Sequence, residues 1–303
     1  MKRLGKIRYE FGTGIAVDGI CWNSDFVLGL RGLRGCERRG QAETFASLGL
    51  GVVSEPVILG LEYNTDVIVL AIDTCDSRGS LAVLRDDAVL QVVVHDSAED
   101  YSSWLLPATG RALKASGVEM ASVDGYAVAT GPGSFTGVRV GLTTVKAWGE
   151  VHRKRIAAVS RLEAIAIQAT AGNACVAAFV DAQREQVFGA VFQRQGENLE
   201  RLGEEMVIPP GRFIESAAEL AKGANISWVS IDAARLASEE IWKSREARGE
   251  KVENVSSALT PAIGRIGMRQ LAAGRFTDAL SLDANYVRRS DAEIFWKGAA
   301  HGG

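Results

Sequence analysis

Two segments of the sequence carry residues that could do chemistry, and each follows an apolar run. The run VIVLAI ends at Asp73, and the polar residues TCDSRGS come directly after it. An aspartate in this place could hold a magnesium ion, because Mg²⁺ is commonly bound through one or two carboxylates. It could also cap the turn after a buried strand, since aspartate accepts hydrogen bonds from the backbone two residues on. The sequence leaves both interpretations open.

The second segment is the Gly-rich string ATGPGSFTGVRVG, which begins at Ala129. Gly131, Gly133 and Ser134 stand where a strand gives way to a helix, so their backbone N–H groups could bind an anion. Arg139, one turn into the helix, could add positive charge, although an arginine on a helix face is commonly solvated or ion-paired. These four residues are the predicted cofactor-binding set, and a purely structural turn is the alternative.

Histidines and cysteines do not form a recognisable catalytic or metal-binding pattern. No two of His95, His152 and His301 share the short spacing that would let them bind one ion. Cys75 has no histidine nearby in sequence to activate it, which favours a buried structural thiol. We therefore predict neither catalytic residues nor a metal site.

Composition limits the class of protein. The 303 residues are 47% hydrophobic and 23% charged, with a net charge of about −3. This balance argues against tight independent binding of nucleic acid, which needs a basic patch to neutralise phosphates. The four cysteines lack paired short spacings, as is usual in a reducing cytoplasm. No apolar run reaches the ~18 residues of a membrane span.

Apolar runs and turn residues predict a regular order of elements. Strands are expected at 67–73, 80–84 and 89–94, followed by a helix at 100–116, a strand at 125–130, a helix at 138–151, a strand at 156–159 and a helix at 161–171. Ser160 and Glu163 are spaced as a capping box for the last helix. This order predicts an α/β ribonuclease-H-like domain, the half-unit of the actin and Hsp70 superfamily.

The second half of the sequence begins with the same pattern as the first half. Two further strands are expected at 174–181 and 186–192, and helices at 210–222, 238–248 and 261–273. In both halves an apolar strand ends in aspartate, Asp73 or Asp181, before a short polar turn and a second strand. We therefore predict a duplicated actin-like fold whose second half is degenerate.

Three regions are expected along the chain. Residues 1–66 contain no sustained helical or strand period and are predicted to be a low-order extension. A misassigned start is the hypothesis, with Val67 as a candidate native start, and a genuine leader is the alternative. Residues 67–172 would form the first subdomain, and residues 173–303 the degenerate second one with a flexible C-terminal tail.

Five strings, in order and at sensible spacing, resemble the TsaB (YeaZ) family of bacterial tRNA threonylcarbamoyladenosine biosynthesis proteins. They are AIDT, GPGSFTGVRVG, AVSRLEAIA, VDAQREQVFGAVF and ANYVRR. The likeness extends from Val67 to about Arg289. It implies a two-lobed actin-like fold without catalysis or a cofactor of its own, and a cytoplasmic location.

The resemblance also implies partners. Family members pair with a related TsaD subunit, which carries the metal and transfers the threonylcarbamoyl group to the adenosine beside the anticodon. They also work with the TsaE ATPase, and they would contact tRNA only through the complex. ATP or ADP could lie at the interface with the partner, and the chain alone could form a homodimer.

In that family the first two long helices pair with the partner's equivalent helices. Gly137 and Gly141 would then allow a partner helix to approach closely, because glycine inside a helix otherwise costs roughly 1 kcal/mol relative to alanine. The predicted partner surface consists of Trp104, Leu105, Ala108, Gly137, Val138, Gly141, Leu142 and Val145. For Trp104 and its neighbours, core packing is the alternative.

Two features depart from the family pattern. Many members have a histidine at the start of the first long helix, where this chain has Tyr101. The 66-residue extension is the second departure. The competing function is an independent ATP-dependent kinase or a glycoprotease-like enzyme, but the second half has AQREQ where a kinase needs a second phosphate-binding hairpin.

Overall fold

The computed structural model describes residues 66–95 and 98–288, together with the backbone of three N-terminal strands. The chain divides into two units, Met1–Glu62 and Tyr63–Gly303. In the first unit, β1 (Lys6–Phe11), β2 (Ile15–Trp22) and β3 (Asp25–Leu28) form an antiparallel sheet in that order. Most of the predicted extension at 1–66 lies outside the described residues, so its low order and its start stay predictions.

The second unit contains two sheets, each with five described strands. The first sheet consists of β4 (Ile68–Asp73), β5 (Ser80–Arg85), β6 (Ala88–Val94), β7 (Gly125–Ala129) and β8 (Arg155–Val159). Its strand order is β6-β5-β4-β7-β8, with β4 antiparallel to β5 and parallel to β7. Every residue of the central strand β4 is buried, which explains its continuous apolar sequence.

The second sheet repeats this arrangement. It consists of β9 (Cys175–Asp181), β10 (Val187–Gln195), β11 (Asn198–Ile208), β12 (Ile226–Ser230) and β13 (Val252–Asn254). The order β11-β10-β9-β12-β13 places the first strand of each half at the centre of its sheet, antiparallel to the second and parallel to the fourth. The predicted duplicated ribonuclease-H-like fold is therefore confirmed.

Helices tie the two halves together. They are α1 (Tyr101–Ala115), α2 (Phe135–His152), α3 (Arg161–Ala166), α4 (Pro210–Leu220), α5 (Ala234–Ala237), α6 (Trp242–Glu246) and α7 (Thr260–Ala272). The first sheet packs with α1, α2 and α7 and is called the first lobe; the second sheet with α3 to α6 is the second lobe. Because α7 comes from the end of the chain and α3 precedes β9, the chain crosses between the lobes twice.

Two predicted helices are shorter in the structure. The helix expected at 161–171 ends at Ala166, because the backbone N–H groups of Thr170 and Ala171 donate to the Glu253 carboxylate, at 2.8 and 3.1 Å. The helix expected at 238–248 is confined to α6. The strands β1 to β3 and β11 to β13 were not predicted. Among the described residues, no helix has the length and apolar character needed to cross a membrane.

Candidate functional site

The end of β4 is the first part of the site. Asp73 is buried, and its Oδ1 accepts a hydrogen bond from the backbone N–H of Cys75 at 2.9 Å. This is the turn-capping role that aspartate often has after a strand. The capping interpretation is therefore confirmed for one carboxylate oxygen, which leaves Oδ2 to be accounted for.

Arg161 faces that second oxygen. Its Nε lies 3.5 Å from Oδ2 of Asp73, and its Nη2 donates to Oδ2 of Asp76 in a very short contact. The side chains of Arg161 and Asp73 are 2% and 1% exposed, whereas that of Asp76 is 25% exposed. One guanidinium thus joins two carboxylates at the end of β4. The sequence analysis used Arg161 only as a helix position and missed this role.

Titration of this cluster follows from its charges. Burial alone would raise the pKa of Asp76, but the charge and hydrogen bond of Arg161 more than offset it and hold the pKa below the ordinary value. Burial alone would lower the pKa of Arg161, and the two carboxylates raise it instead. Asp76 and Arg161 are therefore ion-paired at neutral pH.

Tyr101, the departure from the family pattern, fastens the loop after β4. Its hydroxyl donates to the carbonyl oxygen of Asp76 and accepts from the N–H of Gly79 at 2.8 Å. Its ring stacks on His95 at 4.1 Å, and both lie against Trp104. The tyrosine thus fixes the same loop that carries Asp76.

The Gly-rich turn packs against this loop. The N–H of Ser134 donates to the carbonyl of Cys75 at 2.6 Å, and the Ser134 hydroxyl accepts from the N–H of Gly137 at 3.3 Å as the N-cap of α2. The carbonyl of Gly131 accepts from the N–H of Arg161 at 2.8 Å. These contacts fix the turn within the chain, and the N–H group of Ser134 is already used.

A cleft of about 740 Å³ lies between the two lobes. The first lobe contributes the β4–β5 loop and the Gly-rich turn, and the second lobe contributes Arg161, at the start of α3, and the β9–β10 turn. That turn is strained, because the consecutive residues Gln183, Arg184 and Glu185 all have φ between +54° and +60°.

Polar contacts cross this cleft. Arg78 Nη2 lies 2.9 Å from Oδ1 of Asp232, and Asn285 Nδ2 donates to Glu205 at 2.7 Å. Arg288 donates to the carbonyl of Ala182 at 2.9 Å. The lobes are therefore joined by direct bonds from one side of the cleft to the other.

A second cavity lies on the outer side of α1 and α2 and is called the α1–α2 groove. Its volume is about 530 Å³. It is lined by Tyr101, Ser102, Leu105, Leu106, Phe135, Thr136, Arg139, Val140, Thr143 and Thr144. Leu106 is 59% exposed and Phe135 is 43% exposed. These helices therefore present an apolar outer face that their own sheet does not cover.

Of the eight residues predicted to form the partner surface, only Leu105 lines the groove on that outer face. Trp104, Leu105, Ala108, Gly137, Val138, Gly141, Leu142 and Val145 are all buried. Apart from Leu105, they lie on the inner faces of α1 and α2, which pack on the first sheet, so the expectation that they present an exposed surface to a partner is wrong. The apolar stripe was found correctly, but its neighbour is the chain's own core.

The two helix glycines have the same explanation. A Cβ at Gly137 would overlap the carbonyl oxygen of Thr74, and one at Gly141 would lie 2.5 Å from its Oγ1. The Thr74 hydroxyl donates to the carbonyl of Gly137 at 2.7 Å. The close approach at these positions is therefore made by the loop after β4, and the expected approach of a partner helix is corrected.

The four residues predicted to bind an anion are not gathered at one place. Gly133 and Ser134 line the cleft, whereas Arg139 lines the α1–α2 groove. Arg139 stacks over the Phe135 ring at 3.8 Å and donates from Nε to the Tyr286 hydroxyl at 2.9 Å. Anion binding at Gly131 to Ser134 stays a prediction.

The remaining candidate groups are the Cys75 thiol and any cluster of metal-binding side chains. Cys75 is buried, and burial raises the pKa of its thiol well above the ordinary value, which keeps it protonated. Among the described residues, no three side chains of His, Cys, Asp and Glu are grouped so that they could hold a metal ion.

The duplicated sheets, the crossing helices and the inter-lobe cleft define a two-lobed protein of the actin-like class. A family model described as "TsaD: tRNA N6-adenosine threonylcarbamoyltransferase" matches residues 92–260. This match covers more than half of the chain, and the chain belongs to that family.

Individual relatives refine the comparison. The tRNA threonylcarbamoyladenosine biosynthesis protein TsaB of Bacillus subtilis is 25% identical over 230 residues, covering 75% of this chain and 97% of TsaB. The tRNA N6-adenosine threonylcarbamoyltransferase of Afipia carboxidovorans is 34% identical over 120 residues, but the chain spans only 34% of that enzyme. The chain is therefore homologous to TsaB over nearly the full length of TsaB.

Solved structures support the fold. YeaZ from Pseudomonas aeruginosa has a TM-score of 0.57 at 24% identity, with 73% of this chain and 99% of YeaZ covered. A protein with similarity to peptidase YeaZ, from the same organism, has a TM-score of 0.59 with equal identity and coverage of 73% and 100%. Both confirm the predicted two-lobed architecture.

The contact between α2 and the β4–β5 loop predicts a difference between two helix glycines. Gly137→Ala should destabilise the protein by about 1–3 kcal/mol, the usual range for overpacking, because its Cβ meets backbone. Gly110→Ala in α1 should stabilise by up to about 1 kcal/mol, since nothing lies within 4 Å of the new Cβ. Urea unfolding of both variants measures the difference; equal effects would contradict the packing.

The ion pair of Asp76 predicts a pH dependence. Because the folded-state pKa is lowered, Asp76 stabilises the fold above about pH 4 and loses this effect as the pH falls through the folded-state pKa. Asp76→Asn should therefore be less stable than wild type at pH 7, with a difference that shrinks in acid. Urea unfolding across this pH range tests it; a constant difference would show that the charge is unimportant.

Proposed function

We propose that this chain is a TsaB-type accessory subunit of tRNA threonylcarbamoyladenosine biosynthesis, which supports a TsaD-type transferase without catalysing the transfer itself. The observation that carries the proposal is the difference in coverage. The chain matches 97% of TsaB but only about a third of the transferases that it resembles. The likeness to TsaB therefore extends over nearly its whole length, whereas the likeness to the transferases is confined to about a third of theirs.

The chemistry of the cleft supports a non-catalytic role. Asp73, the candidate for holding a metal–phosphate group, is occupied by the Cys75 N–H and the Arg161 guanidinium. The β9–β10 turn projects Gln183 and Arg184 into the cleft wall in place of a phosphate-binding hairpin. No observation favours the alternative of an independent kinase or glycoprotease-like enzyme.

The α1–α2 groove supports pairing with the transferase subunit. Its exposed Leu106 and Phe135, together with small polar side chains such as Ser102 and Thr143, offer an apolar centre with a polar rim. In this proposal the partner's equivalent helices lie against the outer face of α1 and α2. The buried inner face holds these helices rigid on the sheet.

Further parts of the proposal follow from the family. A TsaE-type ATPase would join the pair, ATP or ADP could bind where the subunits meet, and tRNA would be contacted through the complex in the cytoplasm. Without its partner, the chain would use the same groove to form a homodimer, because an unpaired helix face can associate with its own copy.

Size-exclusion chromatography with light scattering tests the pairing. The chain mixed with a TsaD-type subunit should elute as a heterodimer. Leu106→Glu should weaken the affinity at least about tenfold, because it places an unpaired charge in the apolar centre. Failure of the wild-type chain to bind that subunit would refute the proposal.

Two variants serve as controls for this experiment. Leu280→Glu changes a leucine that is even more exposed than Leu106 but does not line the groove, so it should leave binding unchanged. Val145→Glu introduces a charge into the core, where Val145 is completely buried, and should unfold the chain rather than weaken pairing alone. Circular dichroism distinguishes the two kinds of loss.

A further inference from the structure

We propose that Arg161 is a resident cation at the end of β4: its guanidinium takes the place of a divalent metal ion between Asp73 and Asp76, and its removal would open a site for such an ion. The actin-like fold implies a magnesium-linked aspartate at the end of the first strand, which is Asp73 here. The residues of this chain do not fit a bound metal, because the guanidinium lies against that carboxylate. The inference does not depend on the proposed partner.

The backbone directs Arg161 to this position. It is the first residue of α3, directly after the N-cap Ser160, whose hydroxyl accepts from the N–H groups of Leu162 and Glu163. The N–H of Arg161 itself donates to the carbonyl of Gly131 at 2.8 Å. These hydrogen bonds therefore fix the backbone of Arg161, and they place its side chain at the end of β4.

The two carboxylates need a compensating positive charge, which the guanidinium supplies. Oδ1 of Asp73 is used by the Cys75 N–H, but Oδ2 is buried and has no hydrogen-bond donor among the described residues. Its charge is balanced by Arg161 Nε at 3.5 Å, and the same guanidinium binds Asp76. A buried, uncompensated carboxylate is strongly unfavourable, so the cluster needs a cation.

A divalent ion is the natural replacement for that charge. Mg²⁺ and Mn²⁺ bind through one or two carboxylates and fill their remaining positions with water. Asp73 and Asp76 supply these carboxylates, and the cleft beside Asp76 admits solvent because that side chain is 25% exposed. In the wild-type chain the arginine compensates these carboxylates, so the first lobe folds without requiring any metal.

The experiment uses Arg161→Gln, which removes the charge and keeps a long polar side chain. Its melting temperature should fall below that of wild type, and millimolar Mn²⁺ should raise it again. Titration followed by electron paramagnetic resonance should show one Mn²⁺ bound at least tenfold more tightly than by wild type. The wild-type melting temperature should not change with Mn²⁺ or with a chelator.

Two variants make the test specific. Arg78→Gln removes an exposed arginine that lies 3.9 Å from Asp76, and it should gain no Mn²⁺ site because Arg161 remains. The double variant Arg161→Gln/Asp73→Asn should be more stable than Arg161→Gln, since the uncompensated charge is gone, and it should lose the response to Mn²⁺.

If Arg161→Gln does not fold alone, refolding with and without Mn²⁺ and the double variant still decide the matter. Recovery of folding by the metal or by Asp73→Asn supports the proposal. It is overturned if neither restores the fold, if Arg161→Gln melts like wild type and binds no Mn²⁺, or if a chelator destabilises the wild-type chain.

Discussion

The ion pair that joins Arg161 to Asp73 and Asp76 is the interaction on which the cleft side of the first lobe depends. It connects the end of β4, the loop that follows and the start of α3, which leads into the second lobe. Because a buried charge must be compensated, neither carboxylate nor guanidinium can move away without the others. The Gly-rich turn is held in the same assembly, since Gly131 accepts the N–H of Arg161 and Ser134 donates to Cys75. The end of β4 and the Gly-rich turn, which could have bound a phosphate group, are thus joined to α3 by ion pairs and hydrogen bonds.

This arrangement separates the two faces of α1 and α2. Their inner faces are committed to the first sheet, and Thr74 at the end of β4 lies so close to α2 that side chains larger than glycine do not fit at Gly137. Only the outer faces remain for a partner, and there the α1–α2 groove exposes Leu106 and Phe135. The cleft and the groove therefore have different tasks. The first gives the lobes a fixed geometry, and the second offers the apolar surface through which we propose that the chain works.

Much of the fold could be predicted from the sequence, because strand and helix periods are local properties. The order of elements in the first half, the repeat in the second and the capping role of Ser160 all follow from such patterns. The element that packs against an apolar stripe, however, is not determined by the local sequence. The stripe through Val138 and Val145 was found, yet it was assigned to a partner instead of the sheet. Arg161 was missed for the same reason, since no spacing along the chain connects it to Asp73. The edge strand β11 was overlooked because its exposed residues make the apolar alternation weak.

The central claim is that the chain acts by supporting another subunit and not by chemistry of its own. The most direct test is the modification of unmodified tRNA by purified TsaD-type and TsaE-type subunits supplied with ATP and a threonylcarbamoyl donor, with threonylcarbamoyladenosine measured by mass spectrometry in the presence and absence of this chain. Product should form when the chain is present, should be largely lost when the chain is omitted, and should not be formed by the chain alone. Undiminished product without the chain, or product formed by the chain alone, would contradict the central claim.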